Sequence, residues 1–185
     1  MSEGVVPPAG QPPGLIQIVA RLRIALGFTC GVLVFWLAQP TARTIAAGLT
    51  VAVAGELFRF WAAGHLVKSR EVTRSGPYRF VAHPLYVGSS VIGAGLAIAS
   101  GRVVVAAIVA AYLVVTLSAA IRSEEAFLRL RFGGDYDAYR RTGDIDSTRR
   151  FSLACALANR EHRAVAGLLI AVLLMAWKAT YNGAF

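Results

Sequence analysis

Residues 80–121 read FVAHPLYVGSSVIGAGLAIASGRVVVAAIVAAYLVVTLSAAI, and Arg102 is the single Lys, Arg, Asp or Glu among them. Arg102 divides the stretch into two uncharged windows, Phe80 to Gly101 (22 residues) and Val103 to Ile121 (19 residues). Each is long enough, as a helix, to cross about 30 Å of hydrocarbon. The break at Ser100–Arg102 leaves room for a tight turn only, so the two helices form an antiparallel hairpin. Ser89, Gly93, Ala97 and Gly101 recur every four residues on the first helix, and Ala107 and Ala111 do so on the second. Small residues at that spacing let helix backbones approach closely.

The same pattern extends outward. Ile24 to Ala42 is a third uncharged window of 19 residues. Thr44 to Val67 is apolar apart from Glu56 and Arg59, and Ala164 to Trp177 runs uncharged to Lys178, which can snorkel. The expected fold is therefore an all-α integral membrane protein with about five transmembrane helices. Composition agrees, with 56% hydrophobic and 16% charged residues in 185 and a mean hydropathy of +0.58. The first window is too long for a cleaved signal peptide and has no small-x-small site after it, so it is expected to be retained.

Sorting the 19 Lys and Arg by segment gives the expected orientation. Arg21 and Arg23 precede the first span, four basic residues lie between Lys68 and Arg79, and nine fall between Arg122 and Arg163. The alternate segments hold Arg43, Arg102 and Lys178 alone, with Arg59 inside a span. The positive-inside rule then puts the N-terminus in the cytoplasm, here of a bacterial inner-membrane protein. The net charge of +9 thus describes membrane orientation, and a nucleic-acid partner is not expected. Residues 1–20, with four of the seven prolines, are expected to be a flexible leader, and 21–185 a single transmembrane domain. Cys30 and Cys155 lack CxxC spacing or a zinc-ligand pattern, so no metal is expected.

Two polar clusters flank the hairpin. GPYRFVAHPLYVG (76–88) stands before it, with Pro84 suited to the first helical position, and SEEAFLRLRFGGDYDAY (123–139) follows it. At about 1.5 Å per residue, His83 lies roughly 27 Å and Glu124 roughly 35 Å from the turn, so the clusters can meet near one interface.

Their residues resemble the isoprenylcysteine carboxyl methyltransferase family and its phospholipid-methyltransferase relatives. The carriers are Gly76-Pro77-Tyr78, His83-Pro84-Leu85-Tyr86-Val87-Gly88, Glu124-Glu125-Ala126-Phe127-Leu128 and Phe132-Gly133 with Tyr136 and Tyr139, in the family's order and spacing. The resemblance implies a membrane fold that binds S-adenosylmethionine without a Rossmann domain. It implies cofactor contacts at Val72, Tyr78, His83, Pro84, Leu85, Tyr86, Gly88, Glu124, Glu125, Tyr136 and Tyr139, on the cytoplasmic side. The chemistry of these residues is compatible. A helix N-terminus and a histidine favour a carboxylate, Glu124 accepts from hydroxyl or amino groups, and tyrosine faces favour a sulfonium. Methyl transfer from a sulfonium asks mainly for alignment. The implied acceptor is lipophilic, carrying a carboxylate, amine, phenol or thiol, and membrane lipid is the implied surrounding partner.

The chain departs from the family in places. Ala82 stands where the family has Arg before His-Pro, and Ala120 where eukaryotic members have a substrate-side Arg, with Arg122 nearby. Arg140-Arg141-Thr142-Gly143 replaces the usual Val-Pro-Arg. These changes weaken the case for a prenylated cysteine carboxylate. Glu56 and Arg59, three residues apart on one helix face, are expected to act as a pair inside the membrane. With Arg122 they form the candidate catalytic set, orienting substrate or handling a proton. Two other readings stand beside the transferase. One is an NADPH-dependent reductase of the sterol-reductase type, which shares a His-Pro-x-Tyr-x-Gly stretch. The other is a non-enzymatic helical bundle. Gly93 and Gly95 lie inside an apolar span with no preceding strand, which argues against a dinucleotide loop.

Overall fold

The computed structural model describes residues 14–67, 73–134, 137 and 149–182, without the side chains of 15–17, 19–21, 23 and 24. Among the described residues there are six α-helices and no strand: α1 (Gly14–Leu37), α2 (Ala42–Ala63), α3 (Pro84–Ala99), α4 (Val103–Phe132), α5 (Leu153–Ala158) and α6 (Glu161–Tyr181). A short 3-10 turn, Gly76–Arg79, precedes α3. α1 begins at Gly14, inside the stretch expected to be a leader, and residues 1–13 lie outside the described ones.

Three helices, α2, α4 and α6, are long and apolar enough to cross a membrane. The apolar part of α1 (Ala25–Leu37) and all of α3 are shorter. α4, at 30 residues, is about 45 Å long, so its charged end beyond Arg122 extends past a bilayer core of about 30 Å. Large apolar side chains point outward along these helices, Phe28, Trp36 and Leu173 among them. In water that arrangement would be costly; against lipid it is the expected one.

Local chemistry sets the helix ends. Thr41 caps α2, its hydroxyl accepting from Thr44 N–H at 3.2 Å while the Thr44 hydroxyl accepts from Thr41 N–H at 2.9 Å. Pro84 opens α3, as its fixed φ favours. The α3–α4 turn is the tight one expected, with Gly101 at φ +67°, a conformation that favours glycine. It is tied to the α1–α2 link by Gln39 N–H donating to the Ser100 carbonyl at 2.8 Å. Lys178 donates to the Phe35 and Trp36 carbonyls, satisfying the C-terminal end of α1.

α2 and α3 make the most extensive helix contact. The close approach of their backbones does not run through the four-spaced Ser89, Gly93, Ala97 and Gly101. A Cβ on Gly95 would lie 2.6 Å from the Gly48 carbonyl oxygen, and one on Gly55 2.9 Å from that of Gly88. Backbone thus meets backbone through Gly48, Gly55, Gly88 and Gly95. Two members of the four-spaced stripe look elsewhere: Gly93 receives Leu113 of α4, and Ala97 joins Val34, Val105, Val109 and Met175 in the core. α3 carries two small-residue faces, and repetition every four residues marks only one of them.

Candidate functional site

The hairpin brings the two polar clusters together. His83 is the N-cap of α3, and its ring lies between two carboxylates from the far part of α4. His83 Nδ1 is 3.7 Å from Glu124 Oε2, and Nε2 is 3.3 Å from Glu125 Oε1. The two acids differ in setting, the Glu124 side chain being 41% exposed and that of Glu125 18%. Burial, the largest single influence on the imidazole, lowers its pKa. The hydrogen bonds and charges of Glu124 and then Glu125 together outweigh it and hold the value above the ordinary histidine range. Arg129 approaches Glu125 at 4.0 Å, one turn further along α4.

The other motif residues differ in setting. Tyr86 stacks at a tilt on His83 with ring centroids 5.8 Å apart. Tyr78 and Pro84 are buried, Leu85 is half-buried, and Gly88 is held against α2. The 3-10 turn that carries Tyr78 rests on His65, a buried residue that sequence reasoning passed over. A Cβ on Gly76, at φ +58°, would lie 2.6 Å from the His65 ring. His65 Nδ1 is bonded to the Trp61 carbonyl at 3.0 Å, so α2 supports the turn from below. The His83 side chain makes no capping hydrogen bond to the first turn of α3, whose dipole is directed at this cluster. Arg122 is exposed on α4. Val72, Tyr136 and Tyr139 lie outside the described residues.

A second polar group lies deeper. Glu56 and Arg59, neighbours on one face of α2, do not hydrogen-bond to each other. Arg59 Nε donates instead to Glu161 Oε1 of α6 at 2.6 Å, and its Nη1 donates to the Ser89 hydroxyl. α6 supplies a carboxylate in better position than the one three residues away on α2. Both oxygens of Glu56 are buried without a hydrogen-bond partner among the described residues. Glu56, Arg59 and Ser89 line a cavity of about 260 Å³ between α2, α3 and α6. Glu161 was missed by sequence reasoning because it sits before the last apolar window; its signal was an acid at the very start of a membrane helix.

Among the described residues, helices with apolar outer faces and three spans of membrane-crossing length fit an integral membrane protein. The family model described as phospholipid methyltransferase matches residues 22–135, and the chain belongs to that family, within the superfamily of membrane methyltransferases that includes the isoprenylcysteine enzymes. The chain is also 37% identical over 97 residues to the nickel-cobalt-cadmium resistance protein NccN of Alcaligenes xylosoxydans xylosoxydans. That match covers 51% of this chain and 44% of the relative, so the chain spans less than half the relative's length. No solved structure matches.

Proposed function

We propose that this chain is an S-adenosylmethionine-dependent methyltransferase acting on a lipophilic acceptor at the membrane interface. The observation that carries the reading is the meeting of His83 with Glu124 and Glu125, inside the segment matched by the family model. The residues present suit the cofactor. The start of α3 and a histidine held toward its charged form favour an amino-acid carboxylate. Glu124 and Glu125 accept from ribose hydroxyls or an ammonium, and Tyr78 and Tyr86 offer aromatic faces to a sulfonium. In this reading Val72, Tyr136 and Tyr139 complete the cofactor contacts, with Pro84, Leu85 and Gly88 shaping the backbone beside it. When bound, the cofactor supplies an activated methyl group. The protein's task is to orient it, exclude water and present the acceptor.

The reading includes five spans, a cytoplasmic N-terminus and a cytoplasmic cofactor site, supported by the distribution of basic residues. Glu56, Arg59 and Arg122 act on the acceptor side. Titrating the detergent-purified protein with S-adenosylhomocysteine, S-adenosylmethionine and NADPH tests it. Thioether binding weakened at least about tenfold by His83→Ala and by Glu124→Ala is the expected result, a loss of about 1.4 kcal/mol. Binding of NADPH alone overturns it in favour of a reductase, and binding of neither favours a non-enzymatic bundle. A second reading, a part in resistance to nickel, cobalt or cadmium, rests on the relative of that name. It concerns a cellular phenotype, which growth of a deletion strain on those metals tests separately.

A further inference from the structure

The cavity between α2, α3 and α6 contains a carboxyl group that the fold leaves unsatisfied. Glu56 is 8% exposed, lines this cavity and has no hydrogen-bond partner for either oxygen among the described residues. A buried acceptor without a donor is destabilising, by about 1–3 kcal/mol and more for a charged group. Arg59, the nearest candidate on the same helix, is held by Glu161 and Ser89. In their ordinary ionised forms Glu56, Arg59 and Glu161 carry one net negative charge, inside walls otherwise built from Ile92, Leu96 and Leu168. A donor within reach of Glu56 is what the described residues do not supply. A carboxylate entering the cavity would meet Glu56 and Glu161 in a medium that screens poorly, and Arg59, the one cation among the described lining residues, is already engaged by Glu161 and Ser89.

We propose that the cavity binds the head of a lipophilic ligand, and that Glu56 selects heads bearing N–H or O–H donors, an amine or a hydroxyl, against carboxylates. The volume of about 260 Å³ admits a head group of several heavy atoms. Ser89 lies six residues along α3 from His83, about 9 Å deeper, which places the head just beneath the interfacial cluster. In the methyltransferase reading, on which this last step rests, that head is the acceptor. One wall comes from Ala164, Gly167 and Leu168 of α6, which lies outside the matched residues 22–135. α6 thus both holds Arg59 and forms one wall of the site.

The test uses the whole chain in an uncharged detergent, with dodecylamine, dodecanol and dodecanoate as probes of equal tail. Thermal unfolding reports binding in the wild type, in Glu56→Gln and in Gly167→Leu, and S-adenosylhomocysteine is titrated in parallel. A Cβ on Gly167 meets no heavy atom within 4 Å, so the leucine enters open space at the cavity wall without a clash. The expected result is a saturable rise in midpoint with the amine, the alcohol or both, at an apparent affinity at least about tenfold weaker in both variants. Response to the amine alone assigns selection to charge, and response to both assigns it to donation. Equal stabilisation by dodecanoate, or donor binding unchanged in Glu56→Gln and Gly167→Leu, overturns the proposal. If Glu56→Gln does not fold, Gly167→Leu carries the test. Glu56-dependent amine or alcohol binding without thioether binding would leave the site standing and remove the methyltransferase reading; the reverse pattern would do the opposite.

Discussion

Arg59 of α2 and Glu161 of α6, 102 positions apart, share a 2.6 Å ion pair in which the carboxylate side chain is only 4% exposed. The pair ties the last helix to the middle of the bundle and leaves Glu56 available to the cavity. Removing one partner of a buried pair strands the other charge, which costs about 3–5 kcal/mol, whereas replacing both by apolar residues is often neutral. Glu161→Ala is therefore expected to lower the thermal midpoint in detergent far more than the double variant Arg59→Met/Glu161→Leu. Equal destabilisation by the two would show that the pair's charge is not what matters.

The His83 cluster predicts a pH dependence of definite sign. Its pKa is raised in the folded state from an ordinary value of 6.5. Its contribution to stability is then fully present below that ordinary value and is lost as pH rises through the folded one. Stability should fall across the region just above 6.5, and His83→Gln should flatten that fall. Denaturation in detergent as a function of pH measures it; an unchanged slope in the variant would contradict the assignment.

The contact of α2 with α3 is intolerant of added volume. A Cβ on Gly55 would lie 2.8 Å from the Ile92 nitrogen, which is backbone and cannot move aside alone. Gly55→Val should destabilise by at least about 1–3 kcal/mol, while Gly167→Ala, in open space inside α6, should stabilise by about 0.5–1 kcal/mol. The ratio of folded to aggregated protein after mild heating discriminates the two.

Lys178 closes the end of α1 by donating to two carbonyls, one of them Trp36 O at 2.7 Å. Lys178→Met keeps the apolar stem and deletes the donors. A loss of about 1.5–3 kcal/mol is expected, as for hydrogen bonds to charged groups. Faster proteolysis at the α1–α2 link around Gln39 would report it, and an unaltered digestion pattern would not fit.

The chain by itself determined the helical class of fold and the meeting of its two polar clusters. Uncharged windows, Pro84 and the Ser100–Arg102 break specify helices and a hairpin, because helix length and turn chemistry are local properties. The hairpin in turn forces His83 toward Glu124 and Glu125, since both ends of two joined helices must return to the same side. What the tertiary structure alone decided is which partners the intramembrane charges take and which face of α3 meets which helix. Periodicity lists the residues on a helix face without saying what lies opposite, so Gly88 and Gly95 against α2 could not be told from Gly93 against α4. Arg59 had an acid three residues away and was matched instead with Glu161, because in a low-dielectric interior geometry across helices outweighs proximity along one. The unpartnered state of Glu56, and the cavity that goes with it, exist only once that choice has been made.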